Sequence, residues 1–171
     1  MQAWSQFYAV IGGAAAALLG LLFVVVSMNA AATLGAGPGS SKRLAEQAFQ
    51  NYLAVLFVSL LALYPQMGPA SFGAAILSVV AIWAIWVLVR FYQTLTGPKE
   101  DESRFLALRR HFSTLIGFGI LIYAGVLMAM KIEVDLNLFA TGAVVLLFSA
   151  TVVSWELLGR IARAEAASSK S

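Results

Sequence analysis

The sequence predicts an all-α fold, a polytopic transmembrane helical bundle of five spans, with the N-terminus outside and the C-terminus inside (N-out/C-in). Three observations carry that expectation. Of the 171 residues, 61% are hydrophobic and only 11% charged, whereas an ordinary soluble domain carries about 25% charged residues. Five apolar runs reach the length of about 20 residues that a helix needs to cross a hydrocarbon core of roughly 30 Å. Once those runs are drawn as spans, ten of the eleven Lys and Arg residues fall on one side, the pattern of cytoplasmic loops. A soluble domain, a disordered chain and, with no cysteine, a disulfide scaffold are excluded.

The first span runs from about Phe7 to Ala32 without a charge. Ala30-Ala31-Ala32 mimics a signal-peptide cleavage site, but Met1 to Gln6 has no Lys or Arg and the apolar run is too long for an h-region. The second span runs from about Gln47 to Tyr64, the third from Ser71 to Val89, the fourth from Phe112 to Met130 and the fifth from Leu136 to Leu158. All are continuously apolar, where a barrel would alternate. Leu34 to Ser41 and Pro65 to Pro69 read as turns, and Gly97-Pro98 ends span three. Asp101 to His111 reads as an amphipathic helix leading into span four. Lys131 to Leu138 alternates polar and apolar and reads as an extended interfacial loop. No loop holds a separate fold, so residues 1–171 form a single transmembrane domain.

The charges set the threading. Lys42 and Arg43, then Arg90, Lys99, Arg104, Arg109 and Arg110, then Arg160, Arg163 and Lys170 lie on the inner side, against Lys131 alone outside. Scattered through juxtamembrane loops, they suit a bilayer with anionic headgroups as partner and no nucleic acid.

Helices in lipid associate through close packing and buried polar contacts. In span one, Gly13, Ala17, Gly20 and Ser27 form a small-residue seam, with Gly12, Ala16 and Gly20 as a second row. Span three offers Ser71, Ala74, Ser78 and Ala81, and span five Gly142, Ser149 and Glu156. Such seams serve a monomeric bundle, a homo-oligomer or a contact with another membrane protein.

Polar side chains at depth are costly and so are candidate site residues. Asn29, Gln47, Asn51, Arg90, His111 and Glu156, with Glu46 at the start of span two, all fall toward the inner face and together would line a polar vestibule. Each has a structural reading beside it. Glu156 sits four residues before Arg160, Arg90 can snorkel over Trp86, Glu46 has Lys42 and Arg43 one turn before it, and Asn29 can bond a carbonyl near its helix end. Gln47 and Asn51, two amides one turn apart, resist that reading best. Trp83 and Trp86 are deeper than an aromatic belt and read as bundle filling.

With no cysteine and one histidine, no zinc site and no bis-histidine haem can be built within one chain, so no metal and no cofactor is expected. There is no G-x-S-x-G, P-loop or G-x-G-x-x-G motif. The expectation is a non-enzymatic membrane protein, a packing partner or regulator of other membrane components. The alternative is an oligomeric channel or a small-solute or ion transporter subunit. Five spans argue against a simple two-fold repeat.

The first span, with Ala16, Leu18, Gly20, Leu21, Phe23, Val24, Ser27 and Asn29, resembles an A-x-L-x-G-L-x-F-V-x-x-S-x-N opening found in small bacterial multi-spanning inner-membrane proteins of unassigned function. The resemblance implies a bacterial inner membrane and adds weight to Gly20, Ser27 and Asn29. It implies no activity.

Overall fold

The computed structural model describes residues 2–30, 33, 40–64, 68–96, 104–132 and 135–168, with the side chains of 2, 3, 40, 86, 87, 90, 91, 93–96, 104–111, 165, 167 and 168 outside that description. Among the described residues the fold is built of five helices: α1 Gln2–Met28, α2 Ser40–Ala62, α3 Pro69–Thr96, α4 Arg104–Ala129 and α5 Leu136–Ser168. Four carry stretches long and apolar enough to cross a membrane, Trp4–Met28, Ser41–Ala62, Phe112–Ala129 and Leu136–Ala164. On α3 the described side chains give an apolar stretch of Pro69–Ile85, and the sequence stays apolar to Val89 within a helix that continues to Thr96. The outer surface is correspondingly apolar: Leu21, Phe23, Ile82, Ile85, Phe148 and Trp155 are all exposed, far more than a water-soluble surface tolerates.

Local chemistry sets the helix ends. Pro69 opens α3, where its missing N–H costs nothing. At the end of α4, Lys131 adopts a left-handed φ of 61°. Its N–H donates to Met128 O at 3.1 Å, and the Ile132 N–H donates to Leu127 O at 3.0 Å. Those two bonds are a Schellman cap. Asp135 then caps α5, its Oδ1 accepting from the Asn137 N–H at 3.2 Å while its carbonyl accepts from Leu138 N at 3.1 Å. This corrects the expectation of an extended Lys131 to Leu138 loop. A capping carboxylate lets α5 begin at Leu136, and alternation over so short a stretch carries no information about a cap. The helix expected over Asp101 to His111 is present from Arg104 and continuous with α4; Asp101 lies outside the described residues.

Neighbours in space follow the order α1, α2, α5, α4, α3, with lesser contacts between α2 and α3 and between α1 and α5. Where helices cross, backbones approach closely. A Cβ on Gly73 of α3 would lie 2.8 Å from Ala129 N and 2.9 Å from Gly125 O of α4. Between α4 and α5 the fit is reciprocal: Leu146 fills the space over Gly117, and Leu121 the space over Gly142. These contacts gain packing energy that lipid cannot supply.

The buried face of α1 is Tyr8, Ile11, Ala15 and Leu22, with Gly12 set against Ser59 of α2. The expected seam of Gly13, Ala17, Gly20 and Ser27 therefore does not pack within the chain; all four are exposed. Of the second row only Gly12 is buried, against Ser59, while Ala16 and Gly20 are exposed, so neither small-residue row is the packed stripe. The same holds on α3, where Ser71, Ala74 and Ser78 face outward while Phe72, Gly73, Ile76 and Val80 are buried.

Two apolar clusters fill the interior. One joins Tyr8, Val55, Ile76, Phe118, Leu121, Phe139 and Leu146; the other joins Leu22, Leu44, Ala48, Tyr52, Val153 and Leu157. Polar groups lie between them.

Candidate functional site

Gln47 and Asn51 share one face of α2 because four residues make about one turn. That face meets α4 at Ser113 and Thr114 and α5 at Ser149. The Gln47 Nε2–H donates to Thr114 Oγ1 at 3.0 Å, and the Asn51 Nδ2–H donates to the same oxygen at 3.1 Å. Asn51 Nδ2 also donates to Ser149 Oγ at 3.4 Å. The Thr114 and Ser149 hydroxyls lie 3.0 Å apart, as do those of Ser149 and Ser113. Asn51 and Thr114 are fully buried, Ser149 and Gln47 nearly so.

Two amide donors converge on Thr114 Oγ1, and in the Thr114–Ser149 and Ser149–Ser113 pairs either hydroxyl can donate. One acceptor is left over. Asn51 Oδ1 is buried with no hydrogen-bond partner, as is Ser59 Oγ near the α1 crossing. One turn face further on, the Tyr52 hydroxyl lies 3.5 Å from Thr151 Oγ1 and accepts from Ser154 Oγ at 3.3 Å.

The depth of the cluster follows from helix rise. At 1.5 Å per residue, Asn51 lies about 14 Å along α2 from Lys42, Thr114 about 6 Å along α4 from Arg110, and Ser149 about 17 Å along α5 from Arg160. The cluster is thus set inward from the basic end of the bundle, and it ties three helices that are far apart in sequence. None of its members ionises near neutral pH, so the arrangement can orient helices or bind a neutral or cationic group but offers no general acid or base.

The remaining vestibule residues go elsewhere. Asn29 Nδ2 donates to Val25 O on its own helix at 3.1 Å. Glu156 pairs with Arg160 one turn later at 2.7 Å, with both side chains only partly exposed. Glu46 is half-buried on α2 one turn after Lys42. Arg90 is on α3 with its side chain outside the described residues, as are those of Trp86 and His111. Gln47 and Asn51 are thus brought together in a closed cluster, while Asn29 and Glu156 take partners on their own helices. Trp83 is half-buried and stacks near Phe57 of α2 with ring centroids 5.6 Å apart.

Thr114, Ser113 and Tyr52 were not singled out from the sequence. Ser and Thr in an apolar helix ordinarily bond the carbonyl four residues back, as Ser27, Ser78, Thr141 and Thr151 do. Only a partner on another helix distinguishes Thr114. Among the described residues no group of three or more His, Asp or Glu side chains comes together to hold a metal ion. Comparison of the chain with protein-family models, curated proteins and solved structures finds no match.

Proposed function

We propose that this chain is a non-enzymatic protein of the bacterial inner membrane, threaded N-out/C-in, that serves as a helix-packing partner or regulator of another membrane component. The observation that supports this reading is the outward face of α1. Gly13 and Gly20 have nothing within 4 Å of where a Cβ would stand, and Ala17 and Ser27 lie on the same exposed side. Small residues on a lipid-facing helix allow a second backbone to approach. The alternative pore reading needs polar side chains on an open wall, and Gln47 and Asn51 are instead enclosed by α4 and α5 within one chain.

The chain has no cysteine, so single cysteines report without background. Gly20→Cys and Ser27→Cys, treated with a short bifunctional cross-linker in native membranes, should capture one discrete partner, either a second copy or another membrane protein. Gly13→Leu/Gly20→Leu should abolish capture while leaving helix content unchanged. Absence of a discrete product, with the double variant behaving as wild type, overturns the reading.

A further inference from the structure

Where α1 and α2 end toward the basic side, they part around a lateral cleft of about 230 Å³. Its walls are Leu22, Phe23 and Val26 of α1 and Ala45 and Phe49 of α2, with Lys42 on the α2 side. Phe23 is 65% exposed and Phe49 40%, so the cleft opens sideways onto the hydrocarbon. From Phe49 to Lys42 it follows about 10 Å of helix rise. Lys42 is exposed and makes no hydrogen bond or ion pair with a described residue. It also stands in the first turn of α2, where unpaired backbone N–H groups add positive potential. Glu46, the acidic residue at the same cleft, has an interaction of its own.

We propose that this cleft binds one anionic phospholipid, with the upper part of an acyl chain against Phe23, Val26 and Phe49 and the phosphate at Lys42 Nζ. A volume of about 230 Å³ suits part of an acyl chain, whereas a helix with its side chains is about 10 Å across. Charge decides the lipid. Apolar walls gain nothing over bulk lipid tails, so selection falls to the exposed Lys42 ammonium, which prefers a headgroup of net negative charge. A single lysine near an anionic surface sets the scale at about a fivefold preference.

The test uses the full chain in nanodiscs of equal phosphatidylglycerol and phosphatidylcholine with matched acyl chains, followed by native mass spectrometry of the retained lipid. Wild type should keep one phosphatidylglycerol at about fivefold over phosphatidylcholine. Lys42→Gln should bring that ratio to about one, and Lys42→Glu should invert it. Lys131→Gln, at the opposite end of the bundle, should leave it unchanged. Equal retention of the two lipids by wild type overturns the proposal. So does a preference that survives in Lys42→Gln, which would assign it to the basic rim at large. The site requires only a membrane-embedded chain, so it stands or falls apart from the partner reading of α1.

Discussion

Thr114→Val and Asn51→Leu both cut into the same buried cluster, yet they should differ sharply in cost. Valine keeps the shape of Thr114 and removes Oγ1, which accepts from Gln47 at 3.0 Å and from Asn51 at 3.1 Å and bonds Ser149 at 3.0 Å. At about 0.6 kcal/mol for a side-chain hydrogen bond between membrane helices, three lost bonds amount to about 2 kcal/mol. Asn51→Leu removes two bonds, to Thr114 and Ser149, or about 1 kcal/mol on the same scale. It also removes an amide oxygen that is buried without a partner. Desolvating such an atom costs about 1–3 kcal/mol, so its loss offsets the broken bonds. Asn51→Leu is therefore expected within about 1 kcal/mol of wild type, on the neutral or stabilising side, and Thr114→Val about 2 kcal/mol below it. Equilibrium unfolding in mixed micelles, followed by helical circular dichroism, measures both. If Asn51→Leu destabilises as much as Thr114→Val, the reasoning from the unpartnered oxygen fails.

Three further outcomes are expected. Gly73→Ala should destabilise by about 1–3 kcal/mol, since its new Cβ meets backbone atoms of α4 that have little freedom to move; Gly20→Ala, with open space around it, should leave the same unfolding midpoint unchanged. Lys131→Gly should stabilise by about 1 kcal/mol, because the left-handed cap position penalises a side chain and glycine is exempt. In spheroplasts, Lys131→Cys should react with an impermeant maleimide from outside and Lys42→Cys only after permeabilisation. The reverse pattern would invert the threading.

The spans were legible because a bilayer imposes one condition, a long run of apolar residues, that needs no knowledge of neighbours. Their limits were less so. The second helix begins at Ser40 rather than near Gln47 and the fifth runs on to Ser168, since a helix can continue beyond the hydrocarbon into polar sequence. Local capping by Asp135 was equally invisible to a hydrophobic pattern. The inward stripe of α1, Tyr8, Ile11, Ala15 and Leu22, is neither of the two small-residue rows, because what packs depends on the facing residues of another helix, as Gly12 does on Ser59. The same limit applies to the polar cluster. Two amides in an apolar run stand out, so Gln47 and Asn51 were visible, and Ser149 was visible as a small residue of span five, whereas Thr114 acquires meaning only when three helices meet.

The spatial order α1, α2, α5, α4, α3 has a bearing on how the chain is made. The fifth helix stands between two earlier hairpins, α1–α2 and α3–α4, which otherwise meet through lesser contacts of α2 with α3 and the bonds of Gln47 and Asn51 to Thr114. Until α5 arrives, Asn51 and Thr114 lack Ser149, and polar groups facing lipid without partners cost several kcal/mol each. Without α5 the two hairpins would share a polar seam lacking one of its members. Insertion of α5 would then act as a keystone step, and a cell that monitors assembly would find in that seam the mark of a bundle not yet closed.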